Sequence, residues 1–180
     1  MSKVALGDKV FEVSIPHDTL QSRIREVARQ ITADLSGKQP LFLPILNGAF
    51  MFASDLLKHI ELDCTVSFMR LASYEGTTTT GKVKTLLGPK KEIRGASVVI
   101  IEDIVDTGIT LEHIMEQLEP LAPAEVRIAT LLFKPGAYQK NRKIDYAGFE
   151  VPNDFLVGYG LDYDGLGRNL KHIYVLSEAP

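Results

Sequence analysis

Five oxygen-bearing side chains stand close together in the middle of the chain and could bind a phosphorylated sugar. They are Glu102, Asp103, Asp106, Thr107 and Thr110. Two adjacent carboxylates suit the hydroxyls of a sugar, or a metal ion carried by a phosphate. Two threonine hydroxyls, with backbone amides that Gly108 leaves accessible, suit a phosphate monoester. The residue types and their spacing therefore indicate a site for a polyol phosphate.

The segments on either side of this loop are those that would position an anion site. Residues 98–101 form an apolar, β-branched run, which is typical of a strand buried on both faces in a parallel sheet. Behind the loop, apolar residues recur at helical spacing. They are Leu111, Ile114, Met115 and Leu118. A strand, a tight loop and a helix together direct backbone amides and a helix N-terminus at an anion. An ordinary turn with a helix cap would explain one of the five polar residues but hardly all of them.

The commoner phosphate-binding loops do not match this segment. The chain has no G-x-x-x-x-G-K-[ST] motif, and no G-x-G-x-x-G follows a predicted strand. The loop around Gly108 fits a terminal phosphomonoester better than a pyrophosphate that joins two nucleosides.

The hydrophobic pattern predicts an α/β fold, with a parallel β-sheet core flanked by helices. The predicted helices are 17–35, 50–60 and the one behind Thr110, and the predicted core strands are 41–46, 62–72, 82–87, 96–102 and 126–133. A short edge strand is predicted at 9–15, and short strands at 147–150, 154–158 and 173–176 resemble a cap. Ligands of open α/β sheets bind at the carboxyl ends of the strands. We therefore expect the loops 46–49, 102–110 and 134–136 to converge.

The composition limits the class of protein. The 180 residues, 45% of them hydrophobic, suit one domain with a substantial core. A net charge of −3 provides no basic surface for a dedicated nucleic-acid binder. The single cysteine, Cys64, excludes an internal disulfide and is predicted to be a small buried residue in a reducing compartment. No signal peptide and no apolar run of about 20 residues is visible, so we expect a soluble, cytoplasmic protein.

The segment from Glu102 to Gly108 resembles the phosphoribosyl-pyrophosphate signature of the type I phosphoribosyltransferases. Its sequence, Glu-Asp-Ile-Val-Asp-Thr-Gly, is similar to that of the hypoxanthine-guanine branch of this family. Further matches extend over about residues 41–177. They are the pyrophosphate loop Leu46, Asn47 and Gly48, the mobile loop with Ser73 and Tyr74, the base-selecting Lys134, and the hood residues Phe155, Leu156, Asp162 and Arg168.

The resemblance implies a reaction in which a purine nitrogen displaces pyrophosphate from the anomeric carbon of ribose. The residues implied to bind the phosphoribosyl group are Glu102, Asp103, Thr107, Gly108, Ile109 and Thr110, and Asp106 is implied to handle the proton at purine N7. The purine is implied to contact Lys134 through its 6-oxygen, Phe155 by stacking and Leu156 through the backbone. The pyrophosphate is implied to bind Leu46, Asn47, Gly48 and Arg168, with a cis peptide between Leu46 and Asn47. Mg²⁺ is the implied cofactor, held by Glu102, Asp103 and Asp162.

Plainer explanations of single residues remain open. Taken alone, Lys134 could be a surface lysine, Phe155 a core aromatic residue and residues 73–81 a plain loop. The residues Ser73 and Tyr74 belong to a lid only if the resemblance holds.

Two positions depart from the family pattern. Ile109 stands where relatives often have lysine, and Asn47 where some have lysine. We therefore expect weaker neutralisation of phosphate charge at both loops, and more dependence on amides, hydroxyls and Mg²⁺.

The resemblance also implies how the chain is organised. Residues 1–180 would form a single domain of the type I phosphoribosyltransferase fold, with a core at about 38–145 and a purine-binding hood at about 1–15 and 146–180. The expected partners are a 6-oxopurine and phosphoribosyl pyrophosphate, without nucleic acid or membrane, in a homodimer or homotetramer. The main alternative is a nucleotide-sensing regulator of the same fold that binds nucleic acid. A receiver-like acidic site is a third, unsupported possibility.

Overall fold

The computed structural model describes residues 3–72, 84–87 and 93–177. The strands are β1 (Lys3–Leu6), β2 (Lys9–Ile15), β3 (Leu41–Leu46), β4 (Thr65–Val66), β5 (Met69–Ala72), β6 (Lys84–Leu87), β7 (Ser97–Val105), β8 (Glu125–Phe133), β9 (Tyr146–Glu150), β10 (Leu156–Val157) and β11 (Ile173–Leu176). The helices are α1 (His17–Asp34), α2 (Phe50–Leu57) and α3 (Ile109–Leu118), and a short 3-10 helix (Glu119–Leu121) follows α3.

The larger of two sheets carries the strand order β6-β5-β3-β7-β8-β9, with β4 paired to β3. Among the described strands of this sheet six are parallel, and β6 at the edge runs antiparallel to its neighbour β5. The predicted α/β architecture with a parallel sheet flanked by helices is confirmed. Because the central strands β3, β7 and β8 run in the same direction, their carboxyl ends lie at one edge of the sheet.

Alternate residues of the central strands enter two separate hydrophobic cores. Phe42, Val99 and Ile101 pack with α1 and α2 on one face of the sheet. Leu43, Val98 and Ile100 pack with α3 on the other face. Residues 41–46 of β3 and 98–101 of β7 are apolar at every position because both faces of the sheet are buried there, as the sequence pattern predicted.

The smaller sheet joins the two ends of the chain in the order β1-β2-β11-β10. Strands β1 and β2 form a hairpin around Gly7, whose φ of 56° lies in the left-handed region. Strand β2 is an inner strand here and not the predicted edge strand, because it pairs with β1 on one side and β11 on the other. We use the name hood for this four-stranded sheet together with the chain that connects β10 and β11.

Three predicted boundaries differ from the structure. The single predicted strand 62–72 is divided into β4 and β5, which both pair with β3. Strand β7 continues to Val105, three residues beyond its predicted end, so Glu102 and Asp103 lie within the strand. The strand predicted at 147–150 as part of a cap is β9, which instead pairs in parallel with β8 in the larger sheet.

Cys64 is exposed, and its predicted burial is therefore wrong. It lies in the short connection before β4, where the chain leaves the core instead of continuing as a strand. Among the described residues, no helix is long and apolar enough to span a membrane.

Candidate active site

The three loops that were expected to converge do meet at the carboxyl edge of the larger sheet. The loop after β3 touches the end of β7 at Gly48, where an added methyl group would lie 1.6 Å from Asp103 Oδ2. The loops after β7 and β8 meet through Asp106 and Lys134, whose Oδ2 and Nζ atoms are 3.0 Å apart. The parallel register explains the second contact, because Val105 pairs with Phe133 and the two charged residues follow directly.

Two buried carboxyl groups lie side by side at the end of β7. Burial and the nearby Asp103 charge raise the pKa of Glu102 well above its usual value. Burial likewise raises the pKa of Asp103 to about 6, although its Oδ1 accepts a 2.9 Å hydrogen bond from the Ile104 amide. The Arg168 charge offsets only part of the burial cost at Asp103, so these two desolvated carboxyl groups favour a ligand that brings hydroxyl donors or positive charge.

Asp103→Asn is expected to stabilise the ligand-free protein at neutral pH. Because the pKa of Asp103 is raised from 3.8 to about 6, its ionised form opposes folding above about pH 6. That penalty disappears as the pH falls from about 6 toward 3.8. We expect the melting temperature to rise by about 3 °C near pH 7.5 and the gain to vanish near pH 4. Thermal melts of the variant, the parent and the exposed control Asp63→Asn measure this, and a gain equal at both pH values would contradict it.

The predicted phosphate loop leads into α3 through Gly108, whose φ is 85°. The Thr107 hydroxyl accepts a 3.4 Å hydrogen bond from the amide of Ile109, and the side chains of Ile109 and Thr110 are exposed. The residues of this loop thus surround the N-terminus of a ten-residue helix, where the positive end of the helix dipole favours an anion.

Lys134 is a buried lysine at the end of β8. Its side chain is only 10% exposed, and its backbone amide donates to Val105 O at 2.9 Å. Its ammonium group donates to Asp106, whose side chain is 46% exposed. The pair therefore presents a donor and an acceptor side by side, with the carboxylate exposed at the edge of the sheet where the three loops meet.

The predicted pyrophosphate side is built from the loop after β3 and from the hood. The peptide bond between Leu46 and Asn47 is cis. A cavity of about 390 Å³ lies here, lined by Leu46, Asn47, Phe50, Gly165, Leu166, Gly167, Arg168 and Asn169. The Arg168 guanidinium donates to Gly160 O at 2.7 Å and forms an ion pair of 2.6 Å with Asp162.

Phe155 offers an aromatic surface at the edge of the hood. The residue is 46% exposed, and its ring makes a tilted contact with Phe11 and an edge-on contact with Tyr163, with centroids 6.3 and 5.9 Å away. Leu156 is buried and pairs with Val175 between β10 and β11. The side chain of Phe155 is therefore available for stacking, whereas Leu156 can offer a ligand only its backbone.

The described residues contain no group of three or more His, Cys, Asp and Glu side chains placed to hold a metal ion. The predicted ligands therefore do not form an all-protein metal centre, and Asp162 is paired with Arg168 instead. The residues nevertheless fit a Mg²⁺ ion that arrives with a phosphorylated substrate. The raised pKa values of Glu102 and Asp103 show that burial disfavours their ionised forms, which a cation would stabilise, and Mg²⁺ commonly binds one or two carboxylates plus substrate oxygens.

Some residues lie outside the predicted set or outside the described chain. The predicted lid residues Ser73 and Tyr74 fall among residues that the structure does not describe.

Sequence reasoning missed Gly160, where an added methyl group would lie 2.0 Å from Gly48 O, and Lys140, which packs on Gly108. The hood glycine had no local signal, because its requirement arises from a contact between distant segments.

Comparison with protein families gives a match over most of the chain. The model of the phosphoribosyl transferase domain matches residues 16–164. The hypoxanthine-guanine phosphoribosyltransferase of Streptococcus pneumoniae is 37% identical over 96% of this chain and 97% of its own length. The bifunctional protein TilS/HprT of Listeria innocua is 40% identical over 96% of this chain, which spans 27% of that protein.

Solved structures give the same result. A hypoxanthine-guanine phosphoribosyltransferase from Bacillus anthracis superposes with a TM-score of 0.84 and 36% identity, over 92% of this chain and 98% of that one. A hypoxanthine phosphoribosyltransferase from Staphylococcus aureus superposes with a TM-score of 0.84 and 40% identity, over 92% of this chain and 91% of that one.

Proposed function

The chain belongs to the phosphoribosyltransferase family, and on this premise we propose that it converts hypoxanthine and guanine into their 5-monophosphate nucleotides. The second substrate is phosphoribosyl pyrophosphate, and pyrophosphate is the other product. The observation that carries the proposal is the 3.0 Å pair between Lys134 and Asp106 at the ligand edge of β7 and β8. The names of the relatives with full-length similarity support the same reaction class.

A 6-oxopurine presents its O6 and N7 atoms on one edge, which matches a donor beside an acceptor. Lys134 donates a hydrogen bond to O6, and Asp106 accepts the proton of N7 while N9 forms the bond to C1 of ribose. The bonding electrons of the broken C1–O bond leave with the pyrophosphate. An adenine would turn an amino group toward the Lys134 ammonium, and two donors facing each other disfavour binding. Phe155 stacks on the purine face.

The remaining residues hold the sugar and its two phosphorylated ends. Glu102 and Asp103 accept hydrogen bonds from the ribose hydroxyls. Thr107, Gly108 and Thr110 surround the 5-phosphate at the N-terminus of α3. Backbone amides and a guanidinium contact the pyrophosphate. They belong to Leu46, Asn47, Gly48 and Arg168. The transition state has oxocarbenium character, with positive charge at C1 of ribose. Holding both phosphorylated ends keeps C1 oriented toward the purine while this charge develops.

Mg²⁺ is the proposed cofactor, and when bound it neutralises charge on the departing pyrophosphate. The buried carboxyl groups of Glu102 and Asp103, with raised pKa values, are the residues of this chain that would hold it, and Asp162 is a further candidate ligand. A lid at Ser73 and Tyr74, a cytoplasmic location, and assembly into a homodimer or homotetramer remain predictions. So does the division into a core and a hood.

The proposal predicts a sharp preference among four free bases. We expect turnover of hypoxanthine and guanine with phosphoribosyl pyrophosphate, and a kcat/KM for adenine that is lower by at least about 100-fold. Xanthine shares the 6-oxygen and differs at C2, so its rate measures base selectivity at C2, which the contact of Lys134 with O6 does not determine. Initial rates of pyrophosphate release measure all four bases, and adenine turnover comparable to that of hypoxanthine would contradict the roles of Lys134 and Asp106.

The alternative hypothesis is a regulator that binds nucleic acid, and turnover of hypoxanthine or guanine in the same assay would exclude it. The net charge of −3 argues against it because nucleic-acid affinity depends largely on cationic side chains. Tight, salt-dependent binding of RNA in a filter assay, together with no turnover of any base, would replace the transferase proposal.

A further inference from the structure

The loop proposed to hold the 5-phosphate carries no cationic side chain of its own. No lysine or arginine occurs from Asp106 to Thr110, and Ile109 at the start of α3 is 52% exposed. A phosphate monoester brings a charge of about −1.5 to −2 at neutral pH. The helix N-terminus offsets only part of this charge. A cation from another part of the chain would complete the site.

The segment Tyr138 to Lys140 lies directly against this loop. A methyl group on Gly108 would be 2.6 Å from Tyr138 Cε2 and 2.8 Å from Lys140 Cγ. The amide of Gln139 donates a 3.2 Å hydrogen bond to Thr107 O. The stem of Lys140 therefore crosses the loop at Gly108, and the backbone bond holds it in that place.

The ammonium group of Lys140 is held by a partner that a phosphate could replace. It lies 2.6 Å from Oε2 of Glu112 in the first turn of α3, and the two side chains are 29% and 53% exposed. Ion pairs in such partly exposed positions contribute little net stability, because water competes for both charges. Arg142, the next cation along this segment, is paired at 2.9 Å with Glu119, beyond the far end of α3.

We propose that Lys140 is the phosphate-binding cation of this chain and moves from Glu112 to the 5-phosphate when phosphoribosyl pyrophosphate binds. From Cγ, which is already beside Gly108, three further bonds extend the ammonium by roughly 4 Å. Lys140 thus supplies the charge that Ile109 does not. This inference rests on the proposed function, because it takes the ligand of the Gly108 loop to be a sugar 5-phosphate.

The first test compares Lys140→Met with the control Lys143→Met. Lys143 lies three residues farther along the chain, and its side chain is 82% exposed, with Nζ 3.9 Å from Asp145. For Lys140→Met we expect the KM for phosphoribosyl pyrophosphate to rise by about five- to tenfold, with kcat within about twofold of the parent. Calorimetry with ribose 5-phosphate alone should show a similar loss of affinity. The control should behave like the parent in both measurements.

The second test removes the competing carboxylate or restores the missing cation. Glu112→Gln should lower the KM for phosphoribosyl pyrophosphate by about two- to threefold, and this gain should vanish in the Lys140→Met background. Glu116→Gln, one turn farther along α3, is the matched control. Ile109→Lys should restore phosphate affinity to the Lys140→Met variant, because it places a cation at the same loop.

Two results would overturn the assignment: a KM and a ribose 5-phosphate affinity that Lys140→Met leaves unchanged, or no ribose 5-phosphate binding by the parent. Should Lys140→Met fail to fold, as judged by its thermal melt, the Glu112→Gln arm decides alone. Absence of transfer to every purine would contradict the proposed function instead. Calorimetry with ribose 5-phosphate needs no purine, so it still decides the role of Lys140.

Discussion

Asparagine in place of Asp106 is expected to lower the turnover of hypoxanthine by about two orders of magnitude or more. The amide keeps the size of the side chain and can still face Lys134, but it cannot accept the purine proton. Asp106 lies 3.0 Å from Lys134 Nζ and points to the open edge of the sheet. Binding of phosphoribosyl pyrophosphate should be largely kept, because the phosphate and ribose contacts belong to other residues.

Single-turnover kinetics separates this effect from a change in binding or product release. Asp63→Asn is the control, because it makes the same substitution at an exposed residue far along the chain from β7. A thermal melt shows whether the Lys134 ammonium, 10% exposed, lowers stability once its partner carries no charge. Near-normal turnover in Asp106→Asn would remove Asp106 as the proton acceptor and would leave Lys134 as a binding residue alone.

The parallel core was predictable because its signals are local and repeated. Continuous apolar runs at β3, β7 and β8 alternate with helical spacing in α1 and α3, and a chain with that order forms crossovers with helices on both faces. The convergence of the loops after these strands followed from topology alone. The pairing of Val105 with Phe133 then explains why Asp106 and Lys134 are neighbours.

The errors occurred where tertiary contacts override local pattern. Residues 62–72 have enough apolar and β-branched character for one strand, yet the chain leaves the sheet between β4 and β5. The pattern of β7 suggested a strand end at two carboxylates, but ladder bonds to β8 continue as far as Val105. Strand β1, which was not predicted, is a different case, because Gly7 and Asp8 between two alternating segments are a recognisable hairpin signal.

The contacts that complete the candidate site were beyond sequence reasoning. Lys140 is 32 residues from Gly108 along the chain, and it reaches the loop only because the connection after β8 folds back over α3. Gly160 and Gly48 are more than a hundred residues apart, and they lie in loops that follow strands of different sheets, β10 and β3. A pattern within a short window holds no information about such pairs.

Gly160→Ala is expected to damage both the stability of the fold and the pyrophosphate side of the site. Its φ of 104° disfavours alanine, and the added methyl group would lie 2.0 Å from Gly48 O. A backbone oxygen cannot rotate away, so either the hood or the loop after β3 must shift. Because Gly160 O accepts the Arg168 bond of 2.7 Å, the shift also moves the guanidinium. We expect the melting temperature to fall by more than about 5 °C and kcat/KM for phosphoribosyl pyrophosphate to fall by about 100-fold.

Gly37→Ala separates the steric clash from the backbone cost. Gly37, which follows α1 away from the candidate site, also has a positive φ, of 78°, but an added methyl group would meet no atom within 4 Å. Its substitution therefore carries only the conformational penalty of about 1–2 kcal/mol, and its KM for phosphoribosyl pyrophosphate should stay close to that of the parent. Thermal melts and initial rates of both variants give the comparison. If the two variants lose stability and affinity equally, the contact between Gly160 and Gly48 does not fix the hood against the pyrophosphate loop.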